Sequence, residues 1–362
     1  MRLLFVNEEL EYTGTTSYSL DLASGLKKAG HEVRMCSTGG PQEEAFRRRC
    51  VETYRIRTDL LSYWKLIEYL REYAPDLVHI QNRRSLVLGR RISKKLRAPH
   101  VVTVHRVPEG EPARLEHPLL AGAIAANELI REHLVNVQGL PKSLIRVIPR
   151  GVDSEELAPE PGRAFPAPGS GLLPALGSVG RLSSVKGHEV FLRASRIVLD
   201  RGLEAVFTVV GEGEDEARLW KLVRELKLER SVTFSPHVPD RRQLYRALDV
   251  LVVPSLRGGL GYSVLEAMAM GKAVVASAVG EILHIVQDGK TGLLVPEGDA
   301  EALAAGMERL VRDPELAEAL GRAARERVVE GFDLKTMLGA TAGFYEEVLA
   351  RLGLSPSARE GA

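Results

Sequence analysis

With only two cysteines among 362 residues, Cys36 and Cys50, the chain has no disulfide framework and no metal-ligand spacing. The plain reading is two structural thiols in a reducing compartment. Long apolar runs are missing too. The chain opens with Arg2-Leu3-Leu4-Phe5-Val6 and turns acidic at Glu8 and Glu9, too short a run for a signal peptide or a membrane span. Nor is there an excess of one charge. Residues 1 to 165 carry 25 Lys+Arg against 21 Asp+Glu, the remainder 24 against 27, and the net charge of +1 gives no argument for nucleic acid. What is present, 44% apolar and 27% charged residues, suits a globular chain long enough for two domains with separate cores. A cytoplasmic protein is expected.

Short β-branched runs alternate with segments of helical period from end to end, which predicts repeated βαβ units and parallel sheets. Candidate strands are 2–6, 32–36, 51–56, 76–80, 99–104, 122–126 and 145–148 in the first half. In the second they are 173–179, 204–210, 231–234, 249–253, 273–276 and 292–295. Ala158 to Pro174 holds five prolines and three glycines in 17 residues and is the linker candidate. The expected architecture is α/β, with two Rossmann-like doubly wound domains facing a central cleft. Residues 1–160 form the first domain and 161–335 the second, followed by a C-terminal helix and tail at 336–362 that packs across to the first. In such sheets ligands sit beyond the carboxyl ends of the strands.

Two turns in the second half carry chemistry. Gly177-Ser178-Val179-Gly180-Arg181-Leu182 ends a strand, and Lys186-Gly187-His188 opens an amphipathic helix. Two cations five residues apart at such a turn can converge on a phosphate pair without a metal. The bland alternative is a pair of surface cations. Further on, Val252-Val253-Pro254-Ser255 leads through Gly258, Gly259 and Gly261 into a helix, Tyr262 to Met270. Glycines let backbone approach a ligand, and the first amides of that helix, at Tyr262 and Ser263, form an anion site. Glu266 lies about one turn further on, where a carboxylate can accept bonds from two vicinal hydroxyls; alone, it reads more simply as an exposed helix charge.

At this point the chain resembles the retaining glycosyltransferases of GT-B architecture known as glycosyltransferase family 4 or group 1. In the second half the resemblance rests on Val179-Gly180-Arg181-Leu182 with Lys186-Gly187, Val210-Gly211-Glu212-Gly213, Asp249 to Ser255, Leu265-Glu266-Ala267-Met268-Ala269 and Asp288 to Val295. In the first half Gly14, Gly30-His31-Glu32-Val33, Asp76-Leu77-Val78-His79, Thr103-Val104-His105 and Ile148 to Asp153 fit the same template. It covers about residues 1 to 350. It implies a UDP-, GDP- or ADP-sugar donor, with Arg181 and Lys186 on the diphosphate, the Tyr262 and Ser263 amides on the distal phosphate, Glu266 on the ribose and Val238 near the base. Gly14 would approach the sugar and phosphate, and His105 would face the reacting centre. The implied activity is transfer of a sugar to a glycan, lipid or small molecule with retained configuration. No cofactor is implied: there is no Asp-x-Asp pair, and fixed cations would stabilise the departing nucleoside diphosphate. No two-carboxylate arrangement of a glycoside hydrolase is apparent.

Four departures fall on loops that the family pattern turns toward the donor. Gly258 replaces a glutamate expected eight residues before Glu266. Gly280-Glu281-Ile282-Leu283-His284 replaces Gly-Gly-x-x-Glu, Arg150 replaces the asparagine of a Pro-Asn-Gly hinge, and Pro236 displaces a glycine. The expectation is a kept diphosphate subsite and an altered sugar subsite formed by Gly258, Glu281, His284 and Arg150, with Glu281 in place of the missing carboxylate. His31, His100, His188 and His237 read as solvated or packing residues. Gly211-Glu212-Gly213 is no dinucleotide fingerprint, since Glu216 takes the third glycine position. The cations Arg83, Arg84, Arg90, Arg91, Lys94, Lys95 and Arg97 lie on a predicted helix. They form either a solvated face or a contact with an anionic membrane at its inner surface, which would present a lipid-linked acceptor. The rival functions are another GT-B enzyme, an epimerase or phosphorylase, and a non-catalytic sugar-nucleotide sensor, to which Gly258 lends weight.

Overall fold

The computed structural model describes residues 1–56, 59–107, 114–160, 165–166, 170–236, 238, 240–258 and 261–355. The chain divides into two compact units, Met1–Arg150 with Leu334–Ala362, and Gly151–Asp333.

In the first unit, β1 (Arg2–Val6), β2 (Glu32–Ser37), β3 (Glu52–Arg55), β4 (Leu77–Ile80), β5 (His100–Val104), β6 (Leu120–Ala125) and β7 (Ile145–Val147) form one parallel sheet in the order β3-β2-β1-β4-β5-β6-β7. The second unit carries β8 (Ala175–Val179), β9 (Val206–Val210), β10 (Val232–Ser235), β11 (Val250–Val253), β12 (Ala273–Ser277) and β13 (Leu293–Val295) in the parallel order β10-β9-β8-β11-β12-β13. Every expected strand is found, within a few residues at its ends. Helical crossovers cover both faces of a parallel sheet, so central strands such as Val250–Val253 are apolar and buried throughout.

Winding direction reverses between β1 and β4 in the first sheet and between β8 and β11 in the second. Loops leaving the carboxyl ends of strands on either side of such a reversal diverge and open a crevice. The turns singled out in the second half leave β8 and β11. Gly14 opens the helix Gly14–Lys28 after β1, while His105 directly follows β5.

The division falls ahead of the Ala158–Pro174 stretch. Val152 pairs with Asp333 as an isolated parallel bridge, and Ser154 Oγ donates to Asp333 Oδ2 at 2.5 Å. The Arg325 guanidinium donates to the carbonyls of Ser154, Leu157 and Ala269, so residues 151–157 are bonded to the second unit. The helix Leu334–Arg351 belongs to the first, where Tyr345 and His79 share a buried hydrogen bond of 2.6 Å. Among the described residues no helix is long and apolar enough to cross a membrane.

Candidate functional site

The loops after β8 and β9 lie backbone to backbone. Gly180 N–H donates to Val210 O and Leu182 N–H to Glu212 O, both at 2.9 Å. A Cβ on Gly211 would stand 2.0 Å from the Gly180 carbonyl oxygen, and one on Gly213 2.3 Å from that of Leu182. Close approach of two chains therefore accounts for both glycines of Val210-Gly211-Glu212-Gly213. Arg181 projects from this junction, more than half exposed, and its Nη2 pairs with Glu214 at 3.1 Å. An ion pair in that setting contributes about 0–1 kcal/mol, so an incoming phosphate can compete for the guanidinium.

Lys186 ends a short 3-10 turn, Ser184–Lys186, and its stem passes over Gly180, where a Cβ would lie 3.7 Å from Lys186 Cδ. The side chain is half-buried, desolvation lowers its pKa, and no carboxylate among the described residues pairs with it. Gly187 follows with φ +69, and a Cβ there would stand 1.9 Å from Pro254 O in the loop after β11. Leu256 N–H donates to Val185 O at 3.0 Å, tying the same two loops. Beneath them His188 is buried. Its Nε2–H donates to Arg181 O at 3.2 Å, leaving Nδ1 to accept from Ser178 Oγ at 3.1 Å. Burial pushes this imidazole down to about 4, so it stays neutral. His188 is thus a packing residue that fixes the turn carrying Arg181.

The helix Tyr262–Ala269 opens at Gly261 with φ +68 and no side-chain cap among the described residues, so its first turn, at Tyr262 and Ser263, carries the positive end of the helix dipole. Glu266, one turn on, is buried. Its Oε1 accepts from Arg241 Nη1 at 2.9 Å and its Oε2 from the Tyr245 hydroxyl at 2.7 Å. This excludes the exposed helix charge. Arg241 and Tyr245 escaped the sequence reading, although their i, i+4 spacing places both on one face of the helix Arg241–Arg246. Val238, half-buried, lies in the segment leading to that helix; His237 and Gly259 fall outside the described residues.

Loops after β11 and β12 meet at Gly258 and Gly280. A Cβ on Gly258 would stand 3.0 Å from Gly280 Cα, and one on Gly280, which has φ +53, 2.6 Å from Gly258 Cα. Glu281 follows, half-buried, and His284 lies exposed on the single turn Ile282–Ile285. The missing glutamate therefore coincides with a backbone contact that has little room for a side chain.

In the first unit, His105 is buried. Its Nε2–H donates to Gln81 O at 3.0 Å, and the Tyr18 ring stands edge-on at 4.7 Å. Burial, reinforced by the nearby Arg150 charge, pushes its pKa down to about 3. Neutral His105 thus keeps Nδ1 buried, an acceptor without a partner among the described residues. Arg150 is also buried and donates from Nη2 to His105 O at 3.4 Å. Gly14 lies in the first turn of its helix, behind Thr13, whose hydroxyl accepts from Thr16 N–H at 3.3 Å. Among the described residues no cluster of three His, Cys, Asp or Glu side chains suits a metal ion.

The family profile described as Glycosyl transferases group 1 matches residues 173–327, and that described as Glycosyltransferase Family 4 matches residues 12–156. A D-inositol 3-phosphate glycosyltransferase of Pseudarthrobacter chlorophenolicus is 31% identical over 360 residues, covering 87% of this chain and 86% of the relative. The chain belongs to the group 1 glycosyltransferases. The 2-deoxystreptamine glucosyltransferase of Streptomyces kanamyceticus is 29% identical over 313 residues, 79% of this chain and 81% of that one. Among solved structures, HepE of Anabaena in complex with UDP matches with a TM-score of 0.81 at 20% identity, covering 96% of this chain and all of that one. That likeness shows the GT-B fold. This group 1 chain is a glycosyltransferase enzyme.

Proposed function

We propose that this glycosyltransferase takes its sugar from a nucleoside-diphosphate sugar held by the second unit and transfers it, configuration retained and without a metal ion, to a sugar, lipid or small-molecule acceptor. The observation that carries the reading is the junction of loops at the β8/β11 reversal. There Arg181, Lys186 and the amides of Tyr262 and Ser263 offer positive charge, and the buried Glu266 is held by two donors. Arg181 leaves Glu214 for the diphosphate, and Lys186, partly desolvated, interacts more strongly with phosphate than a solvated lysine does. As the glycosidic bond to the diphosphate breaks, both cations stabilise the departing charge, the part a divalent ion plays elsewhere. Glu266 takes the ribose hydroxyls and Val238 lies by the base. In the first unit, Gly14 and His105, which burial keeps neutral, are the candidate site residues.

HepE is described with UDP and with UDP-glucose, so UDP-glucose is the first donor to try, followed by GDP- and ADP-sugars. Mass spectrometry of donor cleavage across that panel, with and without EDTA, tests the reading. Cleavage of at least one donor that survives EDTA is expected. Binding without turnover would instead favour a sugar-nucleotide sensor, the reading that the Gly258–Gly280 contact supports.

On the acceptor side we place a peripheral contact with an anionic membrane. The helix Leu86–Leu96 exposes Val87, Arg91, Lys94 and Lys95 along one face, beside Arg83, Arg84 and Arg97. The helix Leu60–Tyr73 adds exposed Leu61 and Trp64, and Lys95 Nζ lies 4.6 Å from the Trp64 ring centroid. Cations around exposed apolar side chains suit an anionic bilayer surface. Arg90 is turned inward, donating to Arg114 O at 2.7 Å. Sedimentation with phosphatidylglycerol vesicles should fall when Arg91, Lys94 and Lys95 are replaced by glutamine; equal sedimentation discards the idea.

A further inference from the structure

The loop after β12 is held by more than its own backbone. Its single turn, Ile282–Ile285, is too short to satisfy its last carbonyls internally. Arg327, on the helix Pro314–Gly331, supplies the partners: Nε donates to Ile285 O and Nη2 to His284 O, both at 2.6 Å. The same guanidinium stands over the Phe332 ring, 5.6 Å from its centroid. Phe332 in turn accepts the Val152 N–H at 2.9 Å, beside the Val152–Asp333 bridge. On its other side the loop meets the loop after β11 twice. Gly280 lies against Gly258, and Ile285 Cδ1 stands 2.3 Å from where a Cβ on Gly261 would be. Gly261 is the N-cap of the helix Tyr262–Ala269, whose first amides form the proposed phosphate site.

We infer that Arg327 is a positioning residue for the donor-sugar subsite. Its two hydrogen bonds clamp Ile282–Ile285 and hold the segment carrying Glu281 and His284 against Gly258 and Gly261. Arg327 touches no donor atom in this assignment. It sets how far the loop that differs from the family pattern stands from the phosphate-binding helix, and hence which sugar fits. Arg181 and Lys186 are carried by a different loop, and the helix bearing the Tyr262 and Ser263 amides is buried along most of its length, so the loop can shift without displacing the diphosphate groups and the two subsites separate experimentally. The inference rests on the proposed donor reading.

The test uses the full chain, with calorimetric titration of UDP and UDP-glucose, GDP and GDP-mannose, and ADP and ADP-glucose. Wild type is compared with Arg327→Met, which keeps the apolar stem and removes every donor, and with Arg327→Lys, which keeps the charge and a single donor nitrogen. For the nucleotide that wild type prefers, the free diphosphate should bind both variants within about twofold. The sugar nucleotide should lose about tenfold in Arg327→Met and less in Arg327→Lys. Equal loss for diphosphate and sugar nucleotide, or no loss for either, overturns the inference. Wild type that binds none of the six ligands fails the donor reading itself, and does so before any variant is compared.

Discussion

At the scale of single residues, the two cations differ in how they are held, and substitution should expose this. Arg181 is exposed and paired only across the surface, so Arg181→Ala should leave the melting temperature within about 1–2 °C. It should still lower kcat by about 10²–10³, the usual effect of removing one donor from a developing anion. Lys186→Ala should lower kcat similarly. Near-wild-type turnover in both would remove them from the site. Glu266 is the opposite case, a carboxylate buried against Arg241 and Tyr245. Tyr245→Phe removes one donor to a buried charge and should cost about 1.5–3 kcal/mol in chemical denaturation. Arg241→Met leaves the charge without its cation and should cost about 3–5 kcal/mol. The motif around Glu266 was legible in the sequence because it is contiguous. Its partners lie more than twenty residues away on another helix, and only folding joins them.

At the scale of elements, the site is built from loops that touch through glycine. Gly187 combines left-handed backbone with a 1.9 Å clash for any Cβ against Pro254 O. Gly187→Ala should therefore force the β8 and β11 loops apart, costing about 2–4 kcal/mol and weakening nucleoside-diphosphate binding with it. Unchanged stability and affinity would mean that the two loops yield independently. The sequence placed these loops at strand ends and marked their glycines. Which carbonyl each glycine admits follows from the order of strands in the sheet. The fate of Gly258 has the same origin: its neighbour Gly280 is close because β11 and β12 are adjacent, not because of any local pattern.

For the whole molecule, buried histidines predict acid sensitivity. Desolvation pushes His79, His100 and His105 down to about 3, and His188 to about 4. In the unfolded chain these imidazoles titrate near pH 6.5, so at lower pH the unfolded state binds more protons than the folded one. Stability is therefore full above about pH 6.5 and declines as pH falls toward the folded values. Each histidine contributes up to about 1.4 kcal/mol per pH unit in that window. Urea midpoints should hold between about pH 7 and 8 and drop steeply by about pH 5. A flat profile would show that these rings protonate in place. Turnover, by contrast, should show no ionisation of His105 across that window, since neutral His105 is the form present throughout.

The sequence by itself determined the α/β class, every strand, the family and the turns that carry Arg181, Lys186 and Glu266. These are local or periodic properties, written in alternating apolar runs, glycines and the residues that follow a strand. Tertiary structure decided the rest. It decided that His188 packs beneath the turn and is not solvated, joined Glu266 to Arg241 and Tyr245 and made His105 a neutral acceptor. It also put Arg327 behind the sugar loop. Each of these depends on burial or on contact between segments distant in the chain, and neither has a signature in neighbouring residues.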